Sequence, residues 1–228
     1  MELKRALTIL TKVPITGLTK TRLAPALTLE GVATLYRSFL LDTIDLVIKV
    51  SHCSFVIAYT PRESGQVLRD IVKKPIEYIP QSSGDLGDRM NKVFKDLFAR
   101  GYESAIIIGA DSPTLPLSHL EAAFAARERK PVVLGPSLDG GYYLIGLRTP
   151  QPGLFEGIDW STKRVMSQTI ERAKKLGLQV LCIKTWYDVD TVDDLNFLVS
   201  HLKLLMASGR DGLPHQTVDA LRQLGLLL

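Results

Sequence analysis

The chain has 228 residues, of which 46% are hydrophobic and 23% are charged, a composition typical of a soluble globular protein. This excludes collagen, coiled-coil and disordered chains, and no apolar run approaches the roughly 20 residues that a membrane-spanning helix needs. The formal net charge is +4, and the excess lies within residues 1–29, which contain five basic residues and one acidic residue.

This charge asymmetry predicts a small polyanionic ligand near the N-terminus and disfavours nucleic acid, which would need a broad basic face. A basic end that is merely solvated is the alternative. The apolar run at 6–10 is too short for the core of a signal peptide. Cys53 and Cys182 lie in apolar, strand-like surroundings and are interpreted as reduced, buried thiols, so we expect a cytoplasmic protein.

In chain order, short β-rich apolar runs alternate with segments of helical periodicity. This alternation predicts an α/β fold with a mostly parallel sheet in a three-layer α/β/α arrangement. The predicted strands are residues 6–10, 55–59, 76–79, 105–108, 132–134, 142–147 and 180–183. The predicted helices are 32–47, Asp85 to Gly101, one opening at Ser118 with Glu121 in a capping box, Ser161 to about Leu176 before Gly177, one capped by Thr191, and one within 214–228.

No repeat or linker divides the sequence, so we expect one domain over residues 1–228 with a helical tail from about 210 to 228. The tail ends in an apolar run from Leu226 to Leu228. Such residues are expected to pack on the body of the protein or on a second copy, which makes a homodimer possible.

In an open α/β sheet, ligands bind beyond the carboxyl ends of the strands. After the first strand come Lys12, Gly17, Lys20 and Arg22. Free backbone N–H groups near Gly17 and these three cations would surround phosphate oxygens, although the spacing is not that of a Walker A loop. A solvated turn is the alternative.

After the third strand, Gln81 and the turn at Gly84 could hydrogen-bond a nucleobase, and Arg89 could reach phosphate. The alternative is a helix start capped by Asp85. The four histidines are scattered, without the spacing of zinc ligands or of a Ser-His-Asp triad, so zinc and hydrolase functions are disfavoured.

Three acidic segments follow the later strands. Asp111 ends a very apolar strand, where a carboxylate is costly unless it is paired or binds a metal; a turn residue before Pro113 is the alternative. Asp188 and Asp190 lie on the same side of an extended segment, where a divalent cation would relieve their repulsion.

The remaining acidic segment is Asp139, Gly140, Gly141 and Tyr142. Its glycines permit close approach of the backbone to a ligand, and its tyrosine could stack on or hydrogen-bond a sugar. A hairpin turn is the alternative.

Taken together, these motifs resemble the nucleotide-diphospho-sugar transferase superfamily, which has a glycosyltransferase-A type, Rossmann-like fold. The chain is most similar to the DUF2064 group, which is related to 2-phospho-lactate guanylyltransferase. The resemblance runs from Leu7 to about Leu195. It rests on the run from Lys12 to Leu23, on Gly84 to Met90, on Asp111-Ser112-Pro113 and on Asp139 to Tyr142.

The resemblance implies a role for each motif. Donor phosphates would be held by Lys20 and Arg22, and Mg²⁺ or Mn²⁺ by Asp111 and Asp190 with Asp188 nearby. The base would meet Gln81 and Gly84, and the sugar or acceptor would meet residues 139–142. Two departures from known patterns leave the reaction type open: Pro113 replaces the second acid of an Asp-x-Asp pair, and residues 23–29 lack the further lysine of many sugar nucleotidylyltransferases.

We therefore expect a metal-dependent transferase that uses a nucleotide-activated donor and a small acceptor, with glycosyl transfer from an NDP-sugar favoured. Asp139 is the expected general base toward the acceptor. The alternatives are a nucleotidylyltransferase, which joins an NTP to a phosphorylated acceptor and releases pyrophosphate, and a nucleotide-binding module without activity.

Overall fold

The computed structural model describes residues 4–127, 130–209 and 212–228. Its strands are β1 (Arg5–Lys12), β2 (Ser54–Thr60), β3 (Glu77–Pro80), β4 (Ser104–Gly109), β5 (Val132–Pro136), β6 (Tyr142–Leu147) and β7 (Val180–Cys182). Its α-helices are α1 (Leu29–Val47), α2 (Gly65–Val72), α3 (Leu86–Ala99), α4 (Leu117–Arg127), α5 (Val165–Lys175), α6 (Val192–Ala207) and α7 (His215–Gln223). A 3₁₀ turn, Thr21–Leu23, follows β1.

All seven strands belong to one sheet in the order β3-β2-β1-β4-β6-β5-β7. Every neighbouring pair is parallel except the two that involve β6, which runs antiparallel to β4 and β5. Each predicted strand is present, and the α/β fold class is confirmed. The order reverses between β1 and β4, which creates a crevice at the carboxyl ends of these strands.

Two apolar cores cover the two faces of the sheet. Alternate residues of a strand point to opposite faces, so Ile106 and Ile108 of β4 join a core with α1, α2, α4, α6 and α7. Ala105 and Ile107 join the other core, with α3 and α5. Because both faces are covered, β4 reads as a continuous apolar run, as expected for a central parallel strand.

One helix was not predicted, and two others begin at residues that differ from the predicted ones. Helix α2, which starts at Gly65 and buries Leu68 and Val72, was missed because eight residues give too few turns for a clear periodicity. Ser118 lies inside α4 and does not cap it. Helix α5 starts at Val165, four residues after Ser161.

The thiols are more accessible than predicted. Cys53 is partly buried and Cys182 is exposed, because β7 lies at the edge of the sheet. The prediction that both are buried is therefore wrong for Cys182. Neither forms a disulfide.

The C-terminal helix α7 packs on α1, which is one of the two predicted outcomes for the apolar tail. The first two residues of the predicted tail, 210 and 211, lie outside the described part of the chain. Leu227 is buried and Leu226 partly buried in the core around α1, whereas Leu228 is exposed. The tail therefore covers this chain's own helix, and the predicted homodimer loses the support drawn from it.

Helix α7 is capped by a residue from α1. Asp42 is buried, and its carboxylate accepts hydrogen bonds from the backbone N–H groups of Gln216 at 3.1 Å and Thr217 at 2.7 Å. The residue at the N-cap position, Pro214, provides no side-chain hydrogen bond. A carboxylate more than 170 positions away thus pairs two N–H groups that a helix start would leave free.

Candidate active site

A buried lysine meets two carboxylates in the crevice between β1 and β4. The Nζ atom of Lys20, after β1, lies 2.7 Å from Oδ1 of Asp111, after β4. The same ammonium pairs with Oδ1 of Asp190, which directly precedes the N-cap of α6. The structure therefore brings together three of the predicted site residues from distant parts of the sequence.

Backbone geometry holds these three residues in place. Val189 N donates a hydrogen bond to Asp111 O at 2.9 Å, which fastens the segment before α6 beside the end of β4. Asp190 N donates to Asp194 Oδ2, the acid of the capping box that begins α6. Lys20 has a left-handed backbone, with φ 47° and ψ 38°, which costs a non-glycine residue about 1 kcal/mol.

Lys20 is cationic and deeply enclosed. Its side chain is only 7% exposed. Burial alone would lower the pKa of Lys20, but the carboxylates of Asp111 and Asp190 outweigh burial and hold the pKa above its ordinary value. The ring of Tyr36 lies beneath the ammonium, 5.8 Å from Nζ to the ring centroid, within cation–π range. The Tyr36 hydroxyl is held in turn by Thr11 Oγ1 at 2.8 Å.

Asp188 is engaged elsewhere. Ser137 Oγ donates a 2.6 Å hydrogen bond to its Oδ1. Burial raises the pKa of Asp188 to about 6, against the effect of that hydrogen bond and with a contribution from the negative charges of Asp139 and Asp190. No three His, Cys, Asp or Glu side chains of the described residues come close enough to hold a metal ion. Ser137 therefore engages one oxygen of Asp188, and the role of Asp188 as a third metal ligand stays a prediction.

The pair formed by Asp111 and Asp190 does fit a hard divalent cation. Mg²⁺ commonly binds one or two protein carboxylates and completes its shell with water and substrate phosphates. Oδ1 of Asp111 is buried and, among the described residues, has the ion pair with Lys20 but no well-aligned hydrogen bond. A cation would satisfy this oxygen, which Lys20 now neutralises.

A cleft of about 310 Å³ lies between the segment after β1 and the start of α3, and one of its lining residues, Thr19, directly precedes Lys20. Its lining residues are Lys12, Val13, Leu18, Thr19, Thr60, Pro61 and Arg89. Two predicted phosphate ligands, Lys12 and Arg89, thus share one cleft. Arg22 is exposed on the 3₁₀ turn, and Gly17 is an exposed turn residue with φ +78°; neither lines the cleft.

Gln81 serves the protein backbone. Both hydrogens of its amide nitrogen are used, because Nε2 donates to Thr11 O at 3.0 Å and to Ala58 O at 2.8 Å. If Gln81 contacts a base as predicted, it can therefore do so only by accepting a hydrogen bond through Oε1. Gly84 has φ +107°, and a Cβ there would lie 2.5 Å from Asp88 Oδ2, so the capping box of Asp85 and Asp88 requires this glycine.

The acidic segment after β5 is a hairpin turn between antiparallel strands, which was the structural alternative. Asp139 is exposed, and its Oδ1 accepts from Gly141 N at 2.8 Å. A Cβ on Gly140 would lie 2.4 Å from Lys163 O, and Gly140 O accepts from Met166 N. The close approach that Gly140 permits is therefore to this chain's own backbone.

Tyr142, which was predicted to line the sugar or acceptor pocket, is partly buried. Its hydroxyl is buried, and its ring packs in the core shared with α3 and α5. Burial raises the pKa of this hydroxyl, against the effect of Thr169 in α5. The hydroxyl therefore points away from solvent, and contact between the remaining exposed part of Tyr142 and a ligand stays a prediction.

Sequence reasoning missed several residues that shape the site. Tyr36 and Ser137 hold Lys20 and Asp188, and each appears in the sequence as an ordinary core residue. Trp160 lies against the start of α3, where a Cβ on Gly87 would come within 2.6 Å of its indole. A glycine inside a helix is unfavourable, and Gly87 was therefore a readable signal of a close neighbour.

The sequence matches a family model described as an uncharacterised protein conserved in bacteria, DUF2064, over residues 43–162. The chain belongs to this family. The match spans more than half of the sequence and contains β2 to β6, including Asp111 and the hairpin at Asp139. No curated protein matches this DUF2064 chain.

The DUF2064 protein is similar along its whole length to a "putative nucleotide-diphospho-sugar transferase" from Desulfovibrio desulfuricans G20. The two are 29% identical, the match covers 99% of this chain and 100% of the other, and the TM-score is 0.85. This similarity confirms the predicted nucleotide-diphospho-sugar transferase superfamily and its fold. The name of the relative agrees with the predicted transferase class.

More distant structures share the fold alone. One is CMP:2-keto-3-deoxy-manno-octonic acid synthetase in complex with CTP, with 11% identity, a TM-score of 0.55, and coverage of 90% of this chain and 100% of the other. Another is Rv0371c from Mycobacterium tuberculosis H37Rv in complex with manganese, with 12% identity, a TM-score of 0.54, and coverage of 87% and 100%.

None of the helices in the described part of the DUF2064 chain is both long and apolar enough to cross a membrane.

Proposed function

We propose that this DUF2064 protein is a divalent-metal-dependent transferase that moves a glycosyl group from an NDP-sugar to a small acceptor. The observation that carries the proposal is the convergence of Lys20, Asp111 and Asp190 at the reversal of strand order, where α/β sheets of this kind bind their ligands. The name of the relative that is 29% identical supports a sugar-nucleotide donor.

In this proposal the carboxylates of Asp111 and Asp190 hold Mg²⁺ or Mn²⁺ through hard oxygen ligands. The bound cation would stabilise the negative charge that develops on the leaving phosphate. Lys12 and Arg89 bind donor phosphates from the wall of the adjoining cleft, and Arg22 reaches them from the exposed turn beside it. The distant relative crystallised with manganese supports the choice of metal.

Asp139 is the proposed general base. It is exposed at the tip of the hairpin after β5 and close enough to Asp188 to affect its pKa. An acceptor hydroxyl bound next to this hairpin could pass its proton to the free carboxylate oxygen, while Oδ1 stays hydrogen-bonded to Gly141 N.

Nucleotidyl transfer is the second candidate. Pro113 stands where an Asp-x-Asp pair would have its second acid, so the pair that meets Lys20 comes from two distant segments. The distant structure that binds CTP has the same fold. This alternative reaction would release pyrophosphate from an NTP.

Product analysis separates the two reactions. The protein is incubated with Mn²⁺ and a panel of NDP-sugars or NTPs, each with a set of small hydroxylated and phosphorylated acceptors. Release of free NDP supports glycosyl transfer, and release of pyrophosphate supports the alternative. Tight nucleotide binding without turnover of any acceptor would contradict both and favour a binding module.

Asp111→Asn tests the site itself. The substitution is nearly isosteric, so we expect a folded protein whose Mn²⁺-dependent nucleotide binding is lost. Asp193→Asn is the matched control, because Asp193 is an exposed acid in the first turn of α6. Equal Mn²⁺-dependent binding in both variants would refute the assignment of Asp111.

A further inference from the structure

The ammonium of Lys20 lies against the same two oxygens that a divalent cation would use. It is 2.7 Å from Oδ1 of Asp111 and pairs with Oδ1 of Asp190. An ammonium at this distance and a metal ion bound to the same oxygens would repel each other strongly in so enclosed a place. Occupancy of the carboxylate pair by one cation therefore disfavours occupancy by the other.

We infer that Lys20 is the resident counter-ion of the carboxylate pair in the metal-free protein and competes there with the divalent cation. This inference rests on the proposed function and gives Lys20 alternating partners. Without metal, the ammonium pairs with Asp111 and Asp190. With metal, it leaves these carboxylates and becomes available to the phosphates of the donor.

Charge arithmetic shows what the exchange would achieve. Two carboxylates and one ammonium leave one net negative charge, which repels an anionic donor. A divalent cation on the same carboxylates neutralises them and frees the positive charge of Lys20, so the site becomes attractive to phosphate. Metal binding would thus control when the donor can bind.

The structure provides a direction for this movement. Tyr36 closes the site beneath the ammonium, whereas the carboxylates of Asp111 and Asp190 are 35% and 39% exposed. Lys20 can therefore leave only toward the open side. The two ion pairs offset the free-energy cost of its left-handed backbone, and their loss would let the turn relax.

The test measures binding of Mn²⁺ alone to the nucleotide-free protein, by electron paramagnetic resonance of the free ion. Lys20→Met removes the charge and keeps the length of the side chain, and Lys20→Gln is a second neutral variant that retains a hydrogen-bond donor. We expect both to bind Mn²⁺ at least about tenfold more tightly than the natural protein. Lys203→Met, which removes the same charge from an exposed lysine of α6, is the matched control and should stay within about twofold.

Unchanged or weaker Mn²⁺ binding by the neutral variants would overturn the inference. A measurement on the natural protein guards against variants that do not fold. Amide hydrogen exchange in residues 13–24 should accelerate on addition of Mn²⁺, because this segment loses its buried anchor. Unchanged or slower exchange would also overturn the inference.

Asp111→Asn separates the two levels of the argument. If it loses Mn²⁺ binding while the Lys20 variants gain none, the competition fails and the proposed metal site stands. If Asp111→Asn binds Mn²⁺ as tightly as the natural protein, the metal site of the proposed function fails.

Discussion

The capping of α7 by Asp42 yields a quantitative prediction. Oδ1 and Oδ2 of this buried carboxylate accept from Gln216 N and Thr217 N, and Thr217 is fully enclosed. Asp42→Ala removes both acceptors at once. Because Pro214 supplies no substitute and solvent cannot reach Thr217, the freed N–H of Thr217 remains unpaired as long as α7 stays docked, whereas that of the exposed Gln216 can bond to water.

The magnitude follows from these two hydrogen bonds. A buried N–H group left without a partner costs about 1–3 kcal/mol, and loss of a helix cap costs about 1 kcal/mol. Burial raises the pKa of Asp42, so removing the carboxylate also recovers part of its desolvation cost. We expect Asp42→Ala to lower the free energy of unfolding by about 2–4 kcal/mol, limited by the free energy of detaching α7 alone.

Urea denaturation measures the loss, and amide hydrogen exchange locates it. Exchange should accelerate in α7 before it does in the sheet. The matched control is Asp45→Ala on the same helix, where Asp45 forms a half-exposed ion pair with Lys74 and should contribute less than about 1 kcal/mol. Equal stability of the two variants, with α7 still protected in both, would refute the capping argument.

Two further predictions concern other parts of the fold. Burial lowers the pKa of His119, so unfolding lets this histidine take up a proton, and the free energy of unfolding should fall as the pH drops below about 6.5. Urea titrations at pH 5 and 7.5 should show a smaller pH dependence for His119→Phe. The same pH dependence in both proteins would count against this role of His119. Gly140→Ala should destabilise the protein by about 3 kcal/mol, because its Cβ would meet Lys163 O at 2.4 Å in addition to the cost of about 1–2 kcal/mol for φ +92°. Gly157→Ala, with φ +67° and open space around it, should show only the backbone cost in the same thermal or urea melts, and equal losses would disprove the clash.

The sheet was predictable because its strands are buried on both faces. Residues of β4 such as Ile106 and Ile107 pack in opposite cores, so the whole strand must be apolar and stands out in the sequence. The direction of β6 was harder to predict, since an Asp-Gly-Gly segment suits both a ligand loop and a hairpin turn. The hairpin is what the structure contains.

The sequence predicted which residues meet at the candidate site better than it predicted their hydrogen-bond partners. The rule that ligands bind at carboxyl ends of strands led to Lys20, Asp111 and Asp190, which do meet. That rule does not say which neighbour each polar group contacts. Gln81 turns to two backbone carbonyls, and Asp42 of α1 is buried where it caps α7. Such partners depend on tertiary packing, which local patterns do not encode.

The segment from Trp160 to Lys163 joins the start of α3 to the hairpin after β5. The indole of Trp160 lies on Gly87 at the start of α3, and the backbone of Lys163 lies on Gly140 in the hairpin after β5. Three consecutive Cα steps span at most about 11 Å, so this tether fixes the greatest separation of the two parts. A hinge that swung the start of α3 and the hairpin widely apart would therefore first have to break the contact of the indole with Gly87 or that of Lys163 with Gly140.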